Sequence, residues 1–120
     1  SYQYSTGYSD ILDFVVPRIV EYKKNIENTD FLLSLVFLEI LCEIPDTHIS
    51  RKFNEKIAKK TSNEARDLIK IINTERSREK AISRICQLDY EYKNKGINPG
   101  TTADLLLSGV MIERLLRSDL

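Results

Sequence analysis

The stretch from Phe31 to Cys42 limits what this chain can fold into more than any other. Phe31, Leu32, Leu33, Leu35, Val36, Phe37, Leu38, Ile40 and Leu41 make a helix that is apolar almost all round. Such a helix has no face to offer water and belongs at the centre of a fold. Asn28 or Thr29 is placed to cap its start, with Asp30 favourable in its first turn. Pro45 stops it, because proline lacks an amide proton and clashes with the preceding turn. Ser34 and Glu39 interrupt the run, which also falls short of the ~20 apolar residues that cross a bilayer. A buried core helix is therefore expected, and no membrane partner.

The rest of the chain supplies amphipathic helices to pack around it. Asp10 can cap a segment with Ile11, Phe14, Val15 and Ile19 on one face. Pro17 either kinks that segment or opens a second helix there. After Pro45, a basic helix is expected from about Ile49 with Phe53, Ile57 and Ala58 inward. Thr61-Ser62-Asn63 can cap a fresh start leading to Leu68, Ile69, Ile71 and Ile72. Asn73-Thr74 looks like the next cap, ahead of Ala81, Ile82, Ile85, Leu88 and Tyr92. Gly96, following Lys93 and Lys95, is a C-terminal stop. Asn98-Pro99-Gly100 is a turn, and Thr101 or Thr102 caps a last helix with Leu105, Leu106, Val110, Met111, Leu115 and Leu116 on its core face. Strand signals are weak throughout. The expectation is all-α: residues 1–120 as a single domain, a compact array of five to seven helices with one central apolar helix.

Charge and cysteine usage narrow the function classes. Eighteen basic residues balance eighteen acidic ones, which gives no general reason to expect nucleic-acid or membrane binding. The basic residues outnumber the acidic ones between Arg51 and Lys95, as a solvated helical surface or as a face that meets phosphates. Cys42 and Cys86 lie in apolar or amphipathic runs, without a CxxC pair or a Cys/His cluster. Two buried thiols in a reducing compartment, and so a cytoplasmic protein, are expected rather than a zinc site. The chain opens at Ser1 without a methionine and reads as a piece of something longer.

Two polar segments stand out where helices begin. Asp46-Thr47-His48-Ile49-Ser50-Arg51-Lys52 gathers a carboxylate, a hydroxyl, an imidazole and two cations. Thr47 and Arg51, four apart, share a helix face. Spacing alone favours Asp46 as the cap of that helix, and His48, the only histidine, as a surface residue. In Gly96-Ile97-Asn98-Pro99-Gly100-Thr101-Thr102-Ala103-Asp104-Leu105, free amides at a helix start suit a phosphate and Gly100 admits close approach. Asp104 would repel a bare phosphate but can act through Mg²⁺ or accept hydrogen bonds from a ribose. A plain turn with a threonine cap accounts for the same residues.

Asn98-Pro99-Gly100-Thr101-Thr102-Ala103-Asp104-Leu105 resembles the C-terminal signature of the triphosphoribosyl-dephospho-CoA synthases, Ser/Asn-Pro-Gly-Gly/Thr-Ser/Thr-Ala-Asp-Leu followed by an apolar helix. Asp46 to Lys52 is similar to an earlier family segment, in its archaeal-type version, and the resemblance spans Phe31 to Leu116. It implies a transferase that moves the triphosphoribosyl group of ATP onto 3′-dephospho-CoA and frees adenine, in the synthesis of a prosthetic-group precursor. Under it, Asp46 and Asp104 are the candidate catalytic carboxylates and Mg²⁺ ligands. Thr47, Arg51, Lys52, Asn98, Gly100, Thr101 and Thr102 are the candidate substrate-binding residues. Family members are longer and carry a Pro-Gly-Asn-Val-like segment absent here. The resemblance thus implies a C-terminal portion, incomplete by itself, partnered by the remaining N-terminal part or by a second copy of the chain. A family member acting on another nucleotide, or a non-catalytic helical interaction module in which these motifs are only caps, stands as the alternative.

Overall fold

The computed structural model describes residues 9–118. Six α-helices, and no strand among the described residues, bear out the all-α expectation. They are α1 (Val16–Lys23), α2 (Thr29–Glu43), α3 (Thr47–Lys52), α4 (Glu55–Thr74), α5 (Arg78–Lys95) and α6 (Gly100–Ser118). The array measures 43 × 40 × 20 Å, about two helix diameters deep at ~10 Å each.

A π-helical stretch, Ile11–Val15, leads directly into α1. Pro17 sits in the first turn of α1, so it opens the α-helical part. Proline cannot donate the bond that would continue an α-helix through it, and the turn before it is wide: the Val16 amide reaches back to the Ile11 carbonyl. Asp10 makes no capping hydrogen bond with its side chain.

Helix α2 is the central element, as its composition demands. The Asn28 side chain caps it by accepting from the Phe31 amide at 2.9 Å, and it ends at Glu43, before Pro45. One side packs Phe31, Leu35, Leu38 and Leu41 against Ala65, Leu68 and Ile72 of α4 and Ala81 and Tyr92 of α5. The other packs Leu32, Val36 and Ile40 against Val15 and Ile19, with Leu105, Leu106 and Val110 of α6 closing over them. Burial on both sides is why the sequence shows no polar face. The one charge on this helix inside the array, Glu39, pairs with the Arg18 guanidinium, accepting from its Nη2 at 2.9 Å with Nε 2.8 Å from the other oxygen, and accepts the Tyr22 hydroxyl. Burial and then the Glu39 bond push the Tyr22 phenol up to about 12.

The middle of the chain departs from the local signals in instructive ways. Asn54, not the Thr61 segment, caps α4, accepting from the Ile57 amide at 2.8 Å. Thr61, Ser62 and Asn63 lie inside that helix. The two hydroxyls do not compete with it: Thr61 donates to the Ala58 carbonyl and Ser62 to the Leu41 carbonyl of α2, both at 2.7 Å. Likewise Thr74 closes α4, and Ser77 caps α5 through the Lys80 amide. Phe53 and Ile82 are partly exposed rather than inward. On α6 the inward side is Leu105, Leu106 and Val110, while Met111, Leu115 and Leu116 are exposed. Gly96 adopts the left-handed conformation, φ 70°, that ends α5 as its stop signal implies.

Candidate functional site

Asp46 precedes a six-residue helix and would be expected to sit at the surface. Instead it is only 1% exposed, because it caps two helices at once. One carboxylate oxygen accepts the Ile49 amide of its own helix α3 at 3.0 Å. The other accepts both the amide and the hydroxyl of Thr102 in α6, at 2.7 and 2.8 Å. Helix α6 begins at Gly100, right after Pro99, whose side chain has no acceptor to offer. Asp46 supplies that missing cap from the other motif. Its negative charge faces two helix N-termini, a favourable arrangement for both dipoles.

A second bond line runs beside the first. The Thr47 and Thr101 hydroxyls lie 2.7 Å apart, and the His48 amide donates to the Thr101 hydroxyl at 3.2 Å. The open side of Gly100 faces the His48 ring: a Cβ there would lie 3.5 Å from Cγ, in ordinary contact. Lys52 reaches across to the Gly96 carbonyl at 3.0 Å, where a cation suits the C-terminal end of α5. The two motifs read from the sequence are therefore one structural unit.

Not every candidate residue shares in it equally. Arg51 is exposed, and its Nε donates only to the Thr47 carbonyl of its own helix, at 3.4 Å. Asn98 is exposed, with its carbonyl taking the Gly100 amide at 2.8 Å. Of the amides of Gly100, Thr101 and Thr102, the first is bonded to Asn98 and the last to Asp46, which leaves that of Thr101 open among the described residues. Thr101 and Thr102 do not cap α6 but lie in its first turn, and Asp104 falls in the second turn. Asp104 is exposed and makes no hydrogen bond or ion pair with the described residues. No group of three His, Cys, Asp or Glu side chains that could hold a metal ion occurs among the described residues.

The sequence reading missed three features around this unit. Glu113 is buried on α6 and pairs with Lys23 at 3.0 Å and Arg117 at 2.7 Å, fastening that helix to the end of α1. The apolar neighbours Met111, Ile112, Leu115 and Leu116 hid it; a charge at a core position of an apolar helix was the available signal. Gly109 marks a close approach of α6 to the π-helical stretch, where a Cβ would meet Val15 at 2.3 Å. Cys86 is exposed, whereas Cys42 is buried as expected and its thiol is raised chiefly by burial.

Fold and motif unit together define an all-helical protein in which the starts of two helices are clasped by one buried carboxylate. The chain belongs to the ATP:dephospho-CoA triphosphoribosyl transferase family, whose model matches residues 1–119. The match takes in the first thirty residues as well as the two motifs, and the family is one of transferases. No curated protein and no solved structure gives a significant match. No helix among the described residues is long and apolar enough to cross a membrane.

Proposed function

We propose that this chain forms the C-terminal part of a triphosphoribosyl-dephospho-CoA synthase, a cytoplasmic enzyme that binds ATP and 3′-dephospho-CoA. The observation that carries the reading is the Asp46–Thr102 clasp, which brings two separated, family-like motifs into one unit. The ribose 2′-hydroxyl of dephospho-CoA attacks C1′ of the ATP ribose. The new C–O bond forms as the C1′–N9 bond to adenine breaks, the hydroxyl proton passes to a base, and adenine leaves after gaining a proton. This needs charge neutralised on the triphosphate, help for the leaving base and an acceptor for the proton.

On this reading the roles divide among the residues of the two motifs. Asp46, with both oxygens engaged, acts as a positioning residue that sets the two helix starts in register. Asp104, exposed and unengaged, is the better placed carboxylate for the reacting ribose or as the base. The Thr101 amide, with the Thr47 and Thr101 hydroxyls beside it, offers donors to phosphate oxygens. Arg51 contributes a guanidinium fork and Lys52 a point charge to the triphosphate. Mg²⁺ commonly keeps several waters, taking one or two carboxylates plus substrate phosphates. Asp104 suits that mode and the engaged Asp46 does not. When bound there, the ion would neutralise triphosphate charge.

The test is adenine release from ATP by the full-length protein, with and without dephospho-CoA, for wild type and Asp104→Asn. The reading expects adenine only when dephospho-CoA is present, and a loss of at least about 100-fold in turnover for Asp104→Asn, the scale on which a positioned acid–base or charge-holding group acts. Unchanged turnover in Asp104→Asn removes the role assigned to it. No adenine under any condition removes the reaction.

A further inference from the structure

Helix α5 packs chiefly on α4, which leaves a groove of about 880 Å³ between α5, the central helix α2 and the start of α6. Its walls are largely apolar, with Phe37 and Leu38 from α2, Ile85 and Leu88 from α5 and Leu106 from α6. Polar residues are the minority of the lining: Ser34, Lys52, Asp89, Lys93 and Asn98, with the exposed Cys86. The volume falls within the ~300–1,000 Å³ of small-molecule sites, which are likewise mainly apolar with a few placed polar groups.

The groove is continuous with the motif unit. Lys52, Gly96, Asn98, Pro99 and Ala103 line it, so a molecule lying in it ends at the start of α6. Away from Lys52, which stands at its motif end, the lining is ill suited to a triphosphate, because its other cation, Lys93, is already paired with Asp89 at 2.9 Å. It suits a slender, largely uncharged chain attached to a nucleotide. Dephospho-CoA is such a molecule: its pantetheine arm carries a gem-dimethyl group, two amides and a terminal thiol, joined to an adenosine diphosphate end. Resting on the substrate reading given above, we propose that this groove receives the pantetheine arm. The arm's methyls and methylenes lie against Phe37, Leu38 and Leu106, and its amides meet Asn98. The nucleotide end of the molecule is thereby delivered to the two motifs.

Titration of the full-length protein with dephospho-CoA and with ADP, which lacks the arm, isolates the contribution of the groove. Cys86 lines the groove yet is exposed on α5, so a larger side chain there obstructs the groove without entering the core. Wild type is expected to bind dephospho-CoA at least about tenfold more tightly than ADP. Cys86→Trp should abolish that advantage and leave ADP affinity unchanged, while Cys86→Ser should retain it. In wild type, dephospho-CoA but not ADP should slow alkylation of Cys86, read by mass spectrometry on its own peptide, with buried Cys42 as the internal reference; this readout stands even if the tryptophan variant fails to fold. An undiminished preference in Cys86→Trp, or Cys86 alkylated at the same rate with dephospho-CoA bound, overturns the groove assignment and leaves the substrate reading intact. Absence of binding by either nucleotide overturns the substrate reading, and the groove assignment with it.

Discussion

Replacing Asp46 by alanine removes, in one step, the acceptor of the Ile49 amide, the Thr102 amide and the Thr102 hydroxyl. Loss of an N-cap costs ~1 kcal/mol. Leaving buried donors unsatisfied costs ~1–3 kcal/mol each, softened where water can enter. Urea unfolding should therefore show Asp46→Ala destabilised by about 2–4 kcal/mol. Asp104→Asn, at an exposed position with no partner among the described residues, should stay within about 0.5 kcal/mol. Equal effects would mean that the clasp does not hold the helices together. The capping of α3 by Asp46 was legible in the sequence, because an aspartate after a proline and before a helical pattern is a local signal. Its hold on Thr102 was not, since the partners stand 56 residues apart and Thr102 presents its own hydroxyl as a cap. A side chain that supplies a cap to a distant helix leaves no spacing to read.

Helix α6 shows how far periodicity carries and where it stops. Its leucines predict a core face, and Leu105, Leu106 and Val110 provide one. Which of the remaining apolar residues face inward depends on neighbours, and Met111, Leu115 and Leu116 turn outward. Gly109 settles the approach of α6 to the π-helical stretch before α1. An added Cβ would lie 2.3 Å from Val15 Cγ1, and Val15 is fully buried, with little room to yield. Alanine has the higher helix propensity by ~1 kcal/mol, but overpacking a tight contact costs ~1–3 kcal/mol. Gly109→Ala is therefore expected to lower the melting temperature, whereas Gly100→Ala, whose Cβ would meet only the His48 ring at ordinary distance, should change stability less. A Gly109→Ala protein more stable than wild type would show that the two helices separate readily. The same dependence on context explains Thr61, Ser62 and Thr74. Each is a cap by type, but its hydroxyl bonds to a carbonyl, and only tertiary packing shows whether a helix continues through it.

For the molecule as a whole, the all-round apolar α2 organises everything else. One side makes a core with α4 and α5, the other with α1 and α6. This two-sided core brings the start of α6 onto the start of α3 and leaves α5 standing off to form the groove. The central helix and the all-helical class were readable because composition alone dictates them. The groove was not, since it arises from how helices are spaced. The account rests on the two motifs forming one nucleotide site, and amide chemical-shift perturbation tests that most directly. On titrating ¹⁵N-labelled full-length protein with ATP and Mg²⁺, the account predicts that amides of Asp46–Lys52 and of 98–104 shift together, with one dissociation constant. Shifts confined to one motif, or absent from both while ATP binds elsewhere, would contradict it.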